Sequence, residues 1–143
     1  MRVTVVLFGI HYDANVKYAR DFRQCATNIK HHVLGIWPGA THRFICVTND
    51  SPYVGELRET YVCDPADVHV FDTSVGRNQK IANGLEMVNS DCDFVIVTRF
   101  DIEFLRPLQV DAKRLTLMSV LEADDVVDDN FYAFPIVLLP DIR

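Results

Sequence analysis

A chain of 143 residues has room for one hydrophobic core, and 49% hydrophobic content with six glycines and six prolines is ordinary for a globular protein, so one domain over residues 1–143 is expected. The net charge of −6 and the scattering of its 14 Lys and Arg residues argue against a nucleic-acid backbone or an anionic membrane as main partner, since both need clustered positive charge. Cys25, Cys46, Cys63 and Cys92 lie far apart with no Cys-x-x-Cys pair, and most sit in or beside apolar segments; that usage suits reduced thiols and a cytoplasmic location.

The run Val3 to Ile10 reads as a first strand covered on both faces, and it is too short and too polar at its flanks for a signal peptide or a membrane span. Gly9 to Asp13 follows at its carboxyl end, where a glycine lets a ligand approach the backbone. Val16, Ala19, Phe22, Ala26, Ile29 and Val33 are spaced by three or four. They predict an amphipathic helix from about Asn15, capped by Asp13 or Asn15 and ended by Gly35 and Pro38. His31 and His32 fall in its last predicted turn, where an interaction with the helix dipole outranks metal ligation.

Thr41 to Val47 is the second predicted strand, and Ser51-Pro52 reads as the start of a short helix through about Thr60. Val68 to Phe71 is a short strand with His69 facing outward from an edge, and Ser74 to Asn89 a helix with Ile81, Leu85 and Val88 at helical spacing. Phe94-Val95-Ile96-Val97 is a second doubly covered strand. Leu115 to Leu121 and Phe131 to Leu139 are further strand candidates, the second interrupted by Pro135, and the acidic stretch Glu122 to Asp129 lies between them as a loop.

Strands alternating with helices through residue 98 predict an α/β domain with a mostly parallel central sheet flanked by helices, which binds ligands at the carboxyl ends of its strands. The residues at those ends are Gly9 to Asp13, Asn49 and Asp50, Asp72, and Asp101 with Glu103. If the chain stays extended past Val97, Asp101 and Glu103 project from one side and can share a hard divalent cation, which in turn would hold phosphate. Arg77, Asn78 and Lys80 are placed at the same rim. Each position taken alone also reads as a solvated loop or helix start.

The run Gly76-Arg77-Asn78-Gln79-Lys80-Ile81-Ala82-Asn83-Gly84-Leu85, followed by Ser90-Asp91-Cys92-Asp93-Phe94-Val95-Ile96-Val97-Thr98-Arg99-Phe100-Asp101-Ile102-Glu103, resembles the nucleotide-sugar half of GT-A glycosyltransferases. There a Gly-x-Arg-Asn helix precedes a strand ending in an Asp-x-Asp metal motif. The likeness covers roughly residues 1 to 105, and Asp129 to Pro135 resembles a segment lining the acceptor side in some members; small virus-encoded members are also similar. The resemblance implies a single Rossmann-like GT-A domain and a metal-dependent transfer of sugar from a nucleotide-diphosphate sugar, a UDP-sugar favoured, to a carbohydrate or protein acceptor.

Carried over by residue, Asp101 and Glu103 would coordinate Mn²⁺ or Mg²⁺, with Glu103 standing where the family has its second aspartate. Phe8, Gly9, Ile10, His11 and Tyr12 would line the nucleoside pocket, Asn49 or Asp50 would meet the base, and Arg77, Lys80, Phe100 and Asp101 would contact the donor. Asp128 or Asp129 matches the acceptor-side general base of inverting members. Complete GT-A domains are longer than this chain, which implies C-terminal truncation, a partner or second copy covering residues 131–140, or a minimal version. The alternative of a different class is a non-catalytic nucleotide-binding or interaction module on the same frame.

Overall fold

The apolar runs of the sequence become the middle of one sheet in a computed structural model that describes residues 1–15, 20–117 and 131–142. In chain order the elements are β1 (Arg2–Phe8), β2 (Tyr12–Asp13), β3 (Arg20–Asp21), α1 (Phe22–Ile36), β4 (Thr41–Asn49), α2 (Val54–Tyr61), β5 (Val68–Phe71) and α3 (Arg77–Glu86). After these come β6 (Phe94–Arg99), β7 (Thr116–Leu117), β8 (Phe131–Pro135) and the helical turn α4 (Leu139–Ile142). The main sheet runs β5-β4-β1-β6-β8-β7. Its pairings from β5 to β6 are parallel, while β8 runs antiparallel to β6 and β7 antiparallel to β8.

Sheet order and the handedness of crossovers fix where the helices lie. The chain steps outward from β1 to β4 to β5 through α1 and α2, then returns past β4 and β1 to β6 through α3, so a constant right-handed crossover puts α3 on the opposite face. The packing agrees. Val3, Val5 and Leu7 of β1 join Phe22, Ala26, Ile29 and Val33 of α1 and Leu57 and Tyr61 of α2. Val6 and Phe8 join Val47, Leu85 and Val97 on the α3 side. Both faces of β1 and β6 are thus apolar because both are covered, which is why these strands read as unbroken runs and not as alternating ones.

Several boundaries differ from the sequence expectation. The first helix starts at Phe22 and not near Asn15: Asp21 is its cap, accepting from the Arg23 amide at 3.0 Å, and Tyr12–Asp13 pairs with Arg20–Asp21 as a small antiparallel ladder. The cap one residue before Phe22 wins because its carboxylate satisfies an amide that would otherwise be orphaned. Residues 16–19 lie outside the described residues. The helix also continues through Gly35 to Ile36, so His31 and His32 stand before its last turn, with His32 against Phe104 at 5.8 Å between ring centroids.

At the other end, the apolar run from Phe131 is a strand only to Pro135; Ile136–Leu138 forms a 3-10 turn that leads into α4. Proline cannot continue the ladder, and the chain bends there. The bend folds the run back on its own sheet: Phe134 and Leu139 are buried on the α3 side with Ile136 and Leu138 packed against them, and Phe131 and Ala133 are buried on the other face. Much of the apolar surface expected to need a cover from another chain is therefore covered within this one. His69 is exposed on the edge strand β5, as expected. All four cysteines are free, with the Cys46 and Cys63 sulfurs 3.5 Å apart. Among the described residues no helix is long and apolar enough to cross a membrane.

Candidate functional site

The strand order reverses at β1, whose two neighbours β4 and β6 are reached by chain leaving in opposite directions, and the loops at their carboxyl ends therefore diverge. Gly9 turns the chain out of β1 with φ +112, a left-handed value that suits glycine, and its amide donates to the Val47 carbonyl at 3.1 Å. Side-chain alternation then divides the rim. Thr48 continues the face of Cys46 toward α1 and α2, while Asn49 and Arg99 continue the faces of Val47 and Val97 toward α3.

On the α1 side His11 is turned inward and is 1% exposed. Its Nδ1 lies 2.6 Å from Thr48 Oγ1 and its Nε2 2.7 Å from Ser51 Oγ, and its ring sits between Phe22 and Phe100. Burial pushes its pKa down to about 4, with only partial opposition from Asp50 and Asp21, so at neutral pH it is an uncharged, doubly hydrogen-bonded core residue. Phe8 and Phe100 are fully buried as well. Of the five residues expected to line a nucleoside pocket, Phe8 and His11 thus form the wall behind the rim, whereas Gly9, Ile10 and Tyr12 remain partly exposed. The Tyr12 ring meets Tyr53 at 4.4 Å, and the Arg23 guanidinium lies over Tyr53 at 4.6 Å while gripping Asp21 through both carboxylate oxygens. That grip holds the Asp21 carboxyl below the usual carboxylate range.

On the α3 side Lys80 is 4% exposed and its Nζ donates to Asn49 Oδ1 at 2.7 Å. Asn49 is itself 4% exposed and donates from its amide nitrogen to the Asp72 carbonyl at 3.0 Å, tying the ends of β4 and β5 to α3. Burial lowers the Lys80 pKa, and among the described residues no carboxylate offsets it. Helix α3 gets close enough for this because Gly84 faces β1: a Cβ there would stand 2.4 Å from Val6 Cγ1. Arg77 at the start of α3 and Asp50 after β4 are exposed.

The third cluster surrounds Asp101. The strand ends at Arg99 and the chain turns at Phe100 and Asp101, so strand alternation does not set Asp101 and Glu103 side by side. Arg99 instead reaches forward two residues as a fork, Nε to Asp101 Oδ1 at 2.7 Å and a terminal nitrogen to Oδ2 at 2.5 Å. Arg20 of β3 adds its Nε to Oδ2 at 3.3 Å. Glu103 is exposed and lies near enough to act, with Asp101, on the Cys25 thiol of α1, whose pKa rises mainly through burial. Both Asp101 oxygens are thus held by cations in this arrangement, and Glu103 stands apart from that pairing. Among the described residues no group of three or more His, Cys, Asp or Glu could hold a metal ion.

Asp128 and Asp129 lie outside the described residues. Sequence reasoning passed over Arg20, Ser51, Tyr53 and Arg99. Arg99 left a signal, a guanidinium two positions before the acid, whereas Arg20 reaches the site only through the β2–β3 ladder. No protein-family model matches the sequence, and no curated protein matches it.

Proposed function

We propose that this protein is a glycosyltransferase that binds a nucleotide-diphosphate sugar, a UDP-sugar favoured, across the carboxyl ends of β1, β4 and β6 and passes the sugar to a carbohydrate or protein hydroxyl. Support comes first from the reversal of strand order at β1, which opens a crevice where open α/β sheets take their ligands. The observation that carries the reading is Lys80, a lysine amine buried against the end of β4 with a neutral amide for partner. Among the described residues no counter-charge meets this buried ammonium, which is costly, and an anionic ligand at the rim would supply one. Its neighbour Asn49 offers the polar edge that a nucleobase or ribose needs.

In the transfer, the acceptor oxygen attacks the anomeric carbon, the bond from that carbon to the diphosphate oxygen breaks, and the nucleoside diphosphate leaves. Cationic side chains at the rim stabilise the charge gathering on the leaving diphosphate, an effect that is strongest where water is excluded. The acceptor's proton goes to a carboxylate, the role the resemblance gives to Asp128 or Asp129. Calorimetric titration of the protein with UDP, GDP and their sugars, each with and without Mn²⁺, checks the reading. Saturable binding of at least one of these nucleotides is expected, and failure of all of them under both conditions would sink it.

A further inference from the structure

Resting on the reading of the site as a nucleotide-diphosphate pocket, we propose that Arg20 and Arg99, held in place by Asp101, bind the donor's diphosphate directly and take the place of a divalent cation. Charge bookkeeping favours the exchange. A divalent cation would bring two positive charges to Asp101; the two guanidiniums already bring two positive charges to that one carboxylate. The geometry favours it further. Asp101 takes the Arg99 fork on both oxygens, at 2.7 and 2.5 Å, and Arg20 Nε at 3.3 Å, so a metal would first have to displace two arginines from the carboxylate it needs.

The cluster is placed to meet a ligand. Arg99 closes β6 directly across from Phe8 of β1, at the point where the strand order reverses, and Arg20 approaches from the β2–β3 ladder that follows β1. Their side chains are 23% and 35% exposed and Asp101 is 20% exposed, so the group is accessible from solvent yet partly shielded. Arg20 meets Asp101 as an ion pair through its Nε, with its side chain partly exposed. A planar guanidinium matches phosphate oxygens, and a carboxylate that fixes its orientation removes much of the entropic cost of using it.

The proposal and a metal site differ in what they need. A metal site binds nucleotide only with the metal present, and Asp101→Asn abolishes that binding. Here binding persists without metal, and Asp101→Asn, which loosens the hold on both guanidiniums while removing a negative charge beside the phosphate, weakens it less than loss of Arg20 does. The experiment is calorimetry on protein freed of metal with EDTA, with UDP, GDP and inorganic pyrophosphate as probes, repeated with saturating Mn²⁺. Binding in EDTA is expected to match that in Mn²⁺, to weaken about tenfold in Arg20→Gln through loss of a charge-assisted contact, and to be partly kept in Arg20→Lys. Thermal melts of each variant report whether it is folded.

Nucleotide binding that needs Mn²⁺ and is lost in Asp101→Asn overturns the proposal while leaving the glycosyltransferase reading intact. Metal-free pyrophosphate binding that depends on Arg20, with no nucleotide bound under any condition, upholds the anion receptor and sinks that reading. No binding of any probe overturns both.

Discussion

Two bases are buried at the same rim on opposite faces of the sheet, and they are treated differently. On the α1 face His11 has a hydroxyl on each ring nitrogen, and burial keeps it neutral with a pKa near 4. On the α3 face Lys80 has one amide oxygen and, among the described residues, no acid that raises its pKa. A buried group whose hydrogen bonds are complete and whose charge is absent is finished as structure. One that keeps a positive charge beside a neutral partner is stable only at a cost, and it gains from a ligand that brings the opposite charge. In the proposed site this contrast separates the wall from the working surface, although both residues lie at one rim, His11 after β1 and Lys80 early in α3.

The largest expected effect falls on the wall. In the unfolded chain His11 titrates near 6.5 and in the folded one near 4, so between those values the unfolded state holds more protons and stability drops as pH falls. The stability is fully present above pH 6.5 and is lost toward pH 4; at about 1.4 kcal/mol per pKa unit the interval is worth roughly 3 kcal/mol. Urea unfolding at steps between pH 7 and 5 should show a slope that flattens in His11→Asn. An unchanged slope would mean that His11 is not kept neutral by its surroundings. His42, also lowered by burial, acts in the same direction in both proteins and cancels in the comparison.

How much of this contrast could be read from sequence follows from which periodicities carry it. Val3 to Phe8 and Phe94 to Val97 announced themselves as central strands because burial on both faces leaves no charged residue in either run and only the buried Thr4 as a polar one, and Val68 to Phe71 showed its edge position through His69. The antiparallel turn of β8 against β6 has no local signature, since strand direction depends on how the chain returns through residues far away. In the same way Asp101 was legible as an acid past a strand, but its bond to Arg20 was not, because Arg20 lies in a two-residue ladder with no hydrophobic period of its own. His11 and Lys80 were both marked as rim residues; which of them faces inward with its hydrogen bonds complete depends on Thr48, Ser51 and Asn49, whose roles are set by tertiary packing.

The next effect tests the working surface. Lys80→Met keeps an unbranched stem out to the ε position and removes the amine, so most of the α3 packing is retained while the anion loses its buried partner and Asn49 Oδ1 its donor. Loss of a hydrogen bond to a charged group is worth about 1.5–3 kcal/mol, or roughly a 10- to 100-fold drop in nucleotide affinity at 1.4 kcal/mol per tenfold. Measured by the same titration as the wild type, an undiminished affinity would remove Lys80 from the site and dissolve the contrast with His11.

The smallest effect concerns what brings Lys80 to the rim at all. In an exposed helix interior Gly→Ala stabilises by about 1 kcal/mol, because alanine loses less backbone entropy on folding. At Gly84 the sign should reverse. The added Cβ would meet Val6 Cγ1 at 2.4 Å and Val47 Cγ2 at 3.1 Å, and both neighbours are β-branched side chains on central strands with little freedom at χ1. Overpacking of this kind costs about 1–3 kcal/mol, which leaves a net destabilisation of up to about 2 kcal/mol once the helix preference is subtracted. Denaturant midpoints at constant m would show it. A midpoint that rises in Gly84→Ala would mean that α3 can move off the sheet without cost, and then the burial of Lys80 is not imposed by packing. A fall in the midpoint accompanied by weaker nucleotide binding would show instead that the closeness of α3 to β1 is what holds the amine against Asn49.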